Sequence, residues 1–313
     1  MERIPSRYLP DDEKAMPFHW TQTDGQLREA IGWACANPRA VLACLHGMSG
    51  AAEQFAPLAD RMPEIAVIAT DLRGQGNDPI IARRGIRLDI EAQESDIAAF
   101  LSAVRQCHPD QPIFLMGESM GALLTARFAS RYPDAGLAGV ILSVPVVAFK
   151  RPVPKPVAQI VRALGTFAPR LRCTPSVFVN GKTKLLPLTR DKAYQDAIRT
   201  KPHFIKAFTF RFLSELGDLI EASDEIASRI QIPSLTLAAG QDCFVAEEQI
   251  RAWHGRIPGN KKTLSIYPEA FHLLWHDWDR DRVLGDIREW ITATIGRLDD
   301  NAIEMPRELD ISR

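Results

Sequence analysis

The sequence has few cysteines, no long apolar run and no clear excess of charge of either sign. No C-x-x-C pair occurs, which argues against a zinc site or a disulfide framework. No apolar run approaches the length of a membrane span, and the N-terminal residues lack the apolar segment of a signal peptide. The formal net charge of -1 gives no general attraction to nucleic acid. We therefore expect a cytoplasmic protein with reduced thiols, without a metal and without a nucleic-acid partner.

Short buried strands that alternate with helices dominate the chain. Hydrophobic residues make up 46% of its 313 residues, enough to bury a sizeable core. Apolar runs predict strands at Val41–Leu45, Ile65–Ala69, Ile113–Met116, Val140–Val144, Ser234–Ala238 and Leu264–Tyr267. Helical patterns follow at Gln54–Arg61, Arg87–Cys107, Met120–Tyr132, Glu247–His254 and Asp279–Ile295. This order predicts an α/β fold with a mostly parallel, doubly wound sheet.

The alternation breaks in the middle of the chain, where no strand is expected. Apolar residues recur at helical spacing after three prolines, and Phe204, Phe208 and Phe212 form a stripe at i, i+4 and i+8. We therefore predict a helical cap inserted into the core. The predicted division is core at residues 1–145, cap at 146–223, core at 224–297 and a solvated polar tail at 298–313.

One G-x-S-x-G string carries the strongest chemical signal. Gly117-Glu118-Ser119-Met120-Gly121 lies between a predicted strand and a predicted helix. A tight turn of this kind projects a nucleophilic serine from the end of the strand, and the flanking glycines avoid backbone collisions. The helix N-terminus also places the Met120 N–H where an oxyanion would develop. A glycine-rich helix start with a capping serine is the alternative interpretation.

A second loop follows the first predicted core strand and contains His46-Gly47-Met48-Ser49-Gly50. Its position predicts that the Met48 N–H is the second oxyanion donor. After the next strand comes Asp71-Leu72-Arg73-Gly74-Gln75-Gly76, a loop of the kind that braces the nucleophile region. The alternative interpretation makes both segments ordinary polar turns.

A serine nucleophile needs a base and an acid that orients the base. In this class of fold, the acid and then the histidine follow the serine in the chain. His272 comes after the last predicted strand, and Asp242 ends the strand before it. Asp277 and Asp279 follow His272, against this order, and His276 lies about one helical turn further along. A metal held by His272 and His276 is disfavoured, because no glutamate occupies the position that a zincin requires.

Together these motifs resemble the monoacylglycerol lipase and lysophospholipase branch of the α/β-hydrolases, also labelled serine aminopeptidase-like. The resemblance includes Leu188–Asp191, the segment from Gly240 to Val245 and Tyr267–His272, and extends from about Trp20 to Ile295. It implies a triad of Ser119, Asp242 and His272 with no cofactor. Gln75 departs from the family pattern, which usually has histidine there, and Asp78 lies near a position where serine is common.

The predicted cap is rich in basic residues, and this charge is relevant to the kind of substrate. No acidic residue occurs from Ala135 to Arg190, whereas nine basic ones do: Lys150, Arg151, Lys155, Arg162, Arg170, Arg172, Lys182, Lys184 and Arg190. Such a surface favours peripheral contact with anionic lipid or attraction of anionic substrates, and a solvated lid is the alternative. We expect the substrate to contact His46, Gly47, Glu118, Phe204 and Phe208.

The sequence thus predicts a serine hydrolase acting on medium- or long-chain acyl esters such as monoacylglycerols or lysophospholipids. A small-ester carboxylesterase, a lactonase or an aminopeptidase is the first alternative. A catalytically inactive scaffold that binds a ligand or partner is the second.

Overall fold

An eight-stranded sheet forms the centre of the computed structural model, which describes residues 14–174 and 186–304, with side chains described to residue 298. The ten strands in these ranges are β1 Ala15–Thr21, β2 Leu27–Trp33, β3 Ala40–Leu45, β4 Ile65–Thr70, β5 Ile113–Glu118, β6 Leu137–Ser143, β7 Arg172–Cys173, β8 Phe208–Thr209, β9 Ser234–Ala239 and β10 Lys262–Tyr267. The nine described helices are α1 Ala56–Arg61, α2 Ile90–Cys107, α3 Met120–Arg131, α4 Lys155–Phe167, α5 Lys192–Thr200, α6 Phe210–Glu221, α7 Ser223–Ser228, α8 Glu247–Arg256 and α9 Arg280–Glu304.

Strand order in the large sheet is β1-β2-β4-β3-β5-β6-β9-β10. The pairs β1–β2 and β2–β4 are antiparallel, and the pairs from β4 through β10 are parallel. Every residue of β3, β4, β5 and β9 is buried, because helices cover both faces of a parallel sheet. The predicted α/β architecture is therefore confirmed.

Two apolar clusters flank the sheet. One joins the sheet to α2, α3, α6 and α8, and the other joins it to α1 and α9. Trp290 of α9 packs edge-on against Phe114 of β5, with ring centroids 5.8 Å apart. Because both faces of β5 are packed in this way, its C-terminal end is a rigid support for the turn that follows.

The N-terminal hairpin differs from the sequence-based expectation, which began the sheet at Val41. Strands β1 and β2 add two antiparallel strands at the edge. Both strands mix exposed, half-buried and buried residues, so neither carries the continuous apolar run by which the inner strands were recognised. Trp20 nevertheless anchors the hairpin, since its Nε1 donates to Thr70 Oγ1 at 3.0 Å.

Helices α4, α5, α6 and α7 lie between β6 and β9, where the helical insertion was expected. The prediction that this region contains no strand was wrong, because β7 and β8 form a two-stranded sheet. Each has two residues, too short for a hydrophobic pattern to reveal. The division of the chain into domains at the predicted boundaries stays a prediction, and Lys182 and Lys184 lie outside the described residues.

The prediction that three phenylalanines form a stripe on one helix was wrong. Phe204 lies in a loop, Phe208 in β8, and only Phe212 lies in a helix. Thr209 interrupts the stripe, because its backbone is extended and its hydroxyl accepts from the Phe212 N–H at 3.1 Å as the N-cap of α6. Helix α9 continues to Glu304, so residues 298–304 of the expected polar tail are helical. Within the described ranges, no helix is long and apolar enough to cross a membrane.

Candidate active site

Ser119 sits in a strained turn between β5 and α3. Its φ of 56° and ψ of -115° are unusual for a residue with a side chain. A Cβ on Gly117 would lie 2.2 Å from the Gly121 carbonyl oxygen, and one on Gly121 would lie 2.5 Å from the carbonyl oxygens of Leu45 and His46. The turn therefore needs glycine on both sides of Ser119, as the sequence predicted.

The loop after β3 lies directly against this turn. A Cβ on Gly47 would be 3.0 Å from Ser119 Cβ and 3.7 Å from its Oγ. Met48 and Met120 both line the cavity at Ser119. In the described chain, neither main-chain N–H takes part in a turn, loop or capping hydrogen bond. The two residues thus adjoin Ser119 from two different segments of the chain.

Buried polar side chains hold these loops together. The Leu72 N–H donates to His46 Nε2 at 3.1 Å, so the His46 proton sits on Nδ1 and is donated to the Gly47 carbonyl at 2.7 Å. Asp71 Oδ1 accepts from the Ala52 N–H at 2.9 Å. The loop that begins at Asp71 therefore braces the loop that contains Gly47 and Met48.

Gln75, the departure from the family pattern, is buried in the same network. Its Oε1 accepts from the Ser49 N–H at 3.1 Å, and its Nε2 points to Met120 Sδ at 3.8 Å. It connects the two segments that contain Met48 and Met120. Sequence reasoning recorded the departure at Gln75 but did not assign it this place.

Asp242 and His272 meet at the same end of the sheet. Asp242 follows β9 and His272 lies in the loop after β10, so the parallel strands bring both to one edge. His272 Nδ1 lies 2.7 Å from Asp242 Oδ2, while Asp242 Oδ1 accepts from the N–H groups of Phe244 at 2.7 Å and Val245 at 3.3 Å. The Phe244 ring packs edge-on against the imidazole at 4.7 Å. The carboxylate thus orients the imidazole and leaves Nε2 away from the acid.

The surroundings of His272 raise its pKa, so that its protonated form is favoured more than that of a free histidine in water. Burial lowers its pKa, but the charge and hydrogen bond of Asp242 and the charge of Glu118 raise it, and the pKa lies above its ordinary value. His272 is only 3% exposed, so these interactions act with little screening. Such an imidazole is suited to accept a proton from a neighbouring hydroxyl.

Glu118 is a second buried carboxyl group at the site. Burial raises its pKa to about 7, against the opposing effects of His272 and Gln54. Gln54 Nε2 donates to Glu118 Oε2. Oε1 of Glu118 is buried, and no partner for it occurs in residues 14–174 and 186–298. A buried polar atom without a partner is uncommon in a folded protein and sets Glu118 apart from the other carboxyl groups of the site.

A cavity of about 800 Å³ connects these residues and has two kinds of wall. Helices α4 and α6 and the loop after β6 supply an apolar wall that includes Val146, Phe149, Val161, Leu213 and Ile220. A second, polar part of the lining contains Glu53, Gln54, Glu118, Tyr194 and His276. Tyr194 stacks on His276 with ring centroids 3.9 Å apart, and His276 Nε2 donates to the Gln54 carbonyl at 2.8 Å. The cavity at Ser119 therefore offers both an apolar and a polar surface to a bound ligand.

The sequence profile of serine aminopeptidase, S33, matches residues 36–279. The chain belongs to this family. A monoglyceride lipase of Rattus norvegicus is 23% identical over 301 residues, which cover 94% of this chain and 93% of that protein. A phospholipase of Bacillus subtilis (strain 168) is 23% identical over 254 residues, which cover 80% of this chain and 94% of that protein.

Solved structures of other proteins share the fold of this chain. A soluble variant of monoglyceride lipase from Saccharomyces cerevisiae, in complex with a substrate analog, superposes with a TM-score of 0.77 at 20% identity, covering 93% of this chain and 99% of that one. A thermostable carboxyl esterase from Bacillus coagulans superposes with a TM-score of 0.76 at 19% identity, and the match covers 91% of this chain and 100% of that one. The predicted α/β-hydrolase resemblance of this S33 protein is thereby confirmed.

Not all predicted substrate contacts reach the cavity of this S33 protein. Gly47, Glu118 and Phe204 line it. His46 and Phe208 are fully buried behind the wall, His46 bound to main-chain groups and Phe208 packed on Phe212 at 4.5 Å. The alternative acid Asp277 is bound to Arg190 rather than to His272. No cluster of three or more metal-ligating side chains occurs in the part of the chain that the structure describes.

We expect Gly121→Ala to destabilise this S33 protein by about 1–3 kcal/mol, because the new Cβ would collide with main-chain atoms that cannot move independently. Gly285→Ala is the matched control. It lies in α9 with nothing within 4 Å of the new Cβ, and a helical Gly→Ala change stabilises by up to ~1 kcal/mol. Chemical denaturation measures the free energy of unfolding of the two variants, and equal values would contradict the packing argument.

Proposed function

We propose that this chain is a serine hydrolase that cleaves carboxylic esters with a medium or long acyl chain, such as monoacylglycerols or lysophospholipids. One observation carries the proposal: the strained Ser119 and His272, which is bound to Asp242, line the same large, partly apolar cavity. The relatives support it, since they include monoglyceride lipases and a phospholipase.

The proposed reaction begins when Ser119 Oγ attacks the ester carbonyl carbon and His272 Nε2 accepts the hydroxyl proton. The N–H groups of Met48 and Met120 stabilise the oxyanion of the tetrahedral intermediate. His272 then donates the proton to the leaving alcohol, and Asp242 stabilises the imidazolium throughout. Water, activated by the same imidazole, cleaves the acyl-enzyme, and Ser119 recovers its proton. No cofactor enters this sequence of steps.

The nucleophile and the substrate class are tested by one set of measurements. We expect the wild type to react with a fluorophosphonate probe and Ser119→Ala to be unreactive, with kcat lower by at least about a thousandfold. On nitrophenyl esters of rising chain length, kcat/KM should increase from acetate to octanoate because the apolar wall binds the longer chain.

Other outcomes would favour the alternatives. A sharp preference for acetate would indicate a small-ester carboxylesterase, and turnover of a lactone or of an amino-acid anilide above all esters would indicate a lactonase or an aminopeptidase. A wild type that neither labels nor turns over any of these would indicate a binding scaffold. Labelling of Ser119→Ala would contradict the assignment of the nucleophile.

The two walls of the cavity support a further division of the substrate. The acyl chain fits the wall of the cap helices, and the alcohol part fits the wall with Glu118, Gln54 and Tyr194. Within this arrangement Glu118 Oε1, the buried oxygen with no partner among the described residues, binds a free hydroxyl group of the alcohol. Gly47 and Phe204 complete the proposed substrate contacts.

We expect Glu118→Leu to reduce the preference for 1-monooctanoylglycerol over methyl octanoate. Loss of one buried hydrogen bond costs roughly 1–2 kcal/mol, which lowers kcat/KM for the glycerol ester about five- to thirtyfold. Methyl octanoate has no free hydroxyl group, so its kcat/KM should change little. Equal losses on both esters would mean that Glu118 acts on the nucleophile or on folding instead of on the alcohol.

The cap surface supports peripheral contact with an anionic membrane. Phe167 is 86% exposed at the end of α4, and Ile160 and Leu171 are also exposed beside it. The neighbouring Arg170 is exposed, whereas Arg162 is paired with Asp218 and Glu221 of α6. Exposed apolar side chains together with basic ones are typical of surfaces that rest on lipid.

We expect Phe167→Asp to weaken sedimentation with vesicles that contain phosphatidylglycerol, since it replaces an inserting ring by a repelled charge. The matched control is Leu27→Asp, which changes an exposed side chain on β2, in the N-terminal hairpin at the sheet edge. Equal binding by both variants and the wild type, or no binding to any vesicle, would contradict membrane contact through the cap.

A further inference from the structure

The loop that carries His272 is bound to a segment of the insertion, Leu188–Asp191. The Leu273 N–H donates to the Leu188 carbonyl at 2.9 Å. The Thr189 hydroxyl donates to the His276 carbonyl at 2.6 Å. These bonds lie on the C-terminal side of His272, and they connect the loop to the segment that leads into α5.

A charged pair connects the other side of His272 to the same segment. Asp277 Oδ2 accepts from the Phe271 N–H at 2.7 Å, directly before His272 in the chain. The Arg190 Nε lies 3.0 Å from Asp277 Oδ1 and 3.2 Å from Oδ2, and the Arg190 N–H donates to Oδ1 at 2.9 Å. One carboxylate therefore joins Arg190 to the residue that precedes His272.

Burial makes this pair sensitive to the loss of either partner. The Asp277 side chain is fully buried and that of Arg190 is 21% exposed. Burial raises the pKa of Asp277, but the hydrogen bonds from Arg190 and from main-chain N–H groups outweigh it and hold the pKa below its ordinary value. Without Arg190 the carboxylate would be a buried charge with too few partners, and the loop would have to rearrange to hydrate it.

The guanidinium group has further contacts that fix its own position. Its Nη2 donates to Asp279 Oδ2 at 2.6 Å, and its Cζ lies 5.0 Å from the centre of the exposed Trp278 ring. Arg190 thus holds Asp277 and Asp279 together from the cap side, in a planar geometry that lysine cannot reproduce.

We propose that Arg190 is a positioning residue, which clamps Asp277 and thereby fixes the main chain on which His272 is presented to Ser119. The inference rests on the proposed function, because it takes His272 as the base. Asp242 orients the imidazole through Nδ1, but it cannot set where the loop places the ring. The insertion therefore supplies part of the geometry of the proton transfer, in addition to the cavity wall.

The test compares Arg190→Ala, Arg190→Lys and Asp277→Asn with the wild type. We expect Arg190→Ala to lower kcat and the second-order rate of fluorophosphonate labelling about ten- to a hundredfold, because a displacement of about 1 Å at a reacting group has effects of that size. KM should change little, since the cavity walls remain. Arg190→Lys should have rates between those of Arg190→Ala and the wild type, and Asp277→Asn should have rates as low as those of Arg190→Ala. Each rate is divided by the folded fraction of the protein, which thermal unfolding measures.

Arg127→Ala is the matched control. Arg127 is 20% exposed and pairs with the buried Glu94 at 2.9 Å, between α2 and α3. It should lose a similar amount of stability while keeping kcat and the labelling rate. Arg190→Ala protein with wild-type kcat and labelling rate per folded molecule would overturn the inference, as would a loss confined to KM. A wild type that does not label would overturn the proposed function itself, which separates the two failures.

Discussion

The structure of the site depends on a backbone turn in which Ser119 adopts a positive φ. The turn joins β5 to α3 and packs against the end of β3 and the loop that follows it. The carbonyl oxygens of Leu45 and His46 leave no space for a Cβ at Gly121. Because these elements are packed on both faces of the sheet, the strain is sustained by the core. The same turn places the Met120 N–H and the cavity next to the hydroxyl.

Buried charge at the site is balanced by partners that come from different parts of the chain. Asp242 is bound by two main-chain amides and by His272, and Asp277 by Arg190 and the Phe271 amide. Glu118 is the exception, with one oxygen on Gln54 and the other without a partner among the described residues. That asymmetry distinguishes Glu118 from the carboxylates whose partners hold the loops of the site.

Prediction from the sequence succeeded where a property is local. The elbow at Ser119 and the loops that end in Asp242 and His272 each combine a strand pattern with turn residues a few positions away. It failed where a pattern was too short or misleading. Strands β7 and β8 have two residues each, and Thr209 breaks a phenylalanine spacing that otherwise reads as a helix. Gln54 and Tyr194 were not assigned to the site, because nothing near them in the chain marks them. Arg190 was noted only as a basic residue and as part of the Leu188–Asp191 segment of the family resemblance.

The sequence by itself determined the alternation of the inner strands with helices, the tight turn at Ser119 and the residue types that the proposed nucleophile, base and acid require. The reason is that periodicity, glycine placement and chain order are properties of neighbouring residues. Only the tertiary structure decided that His46 and Phe208 lie behind the cavity, that Asp277 belongs to Arg190, and that one wall is polar and the other apolar. Those outcomes depend on contacts between residues far apart in the chain, whose geometry exists only once the sheet and the insertion have packed together.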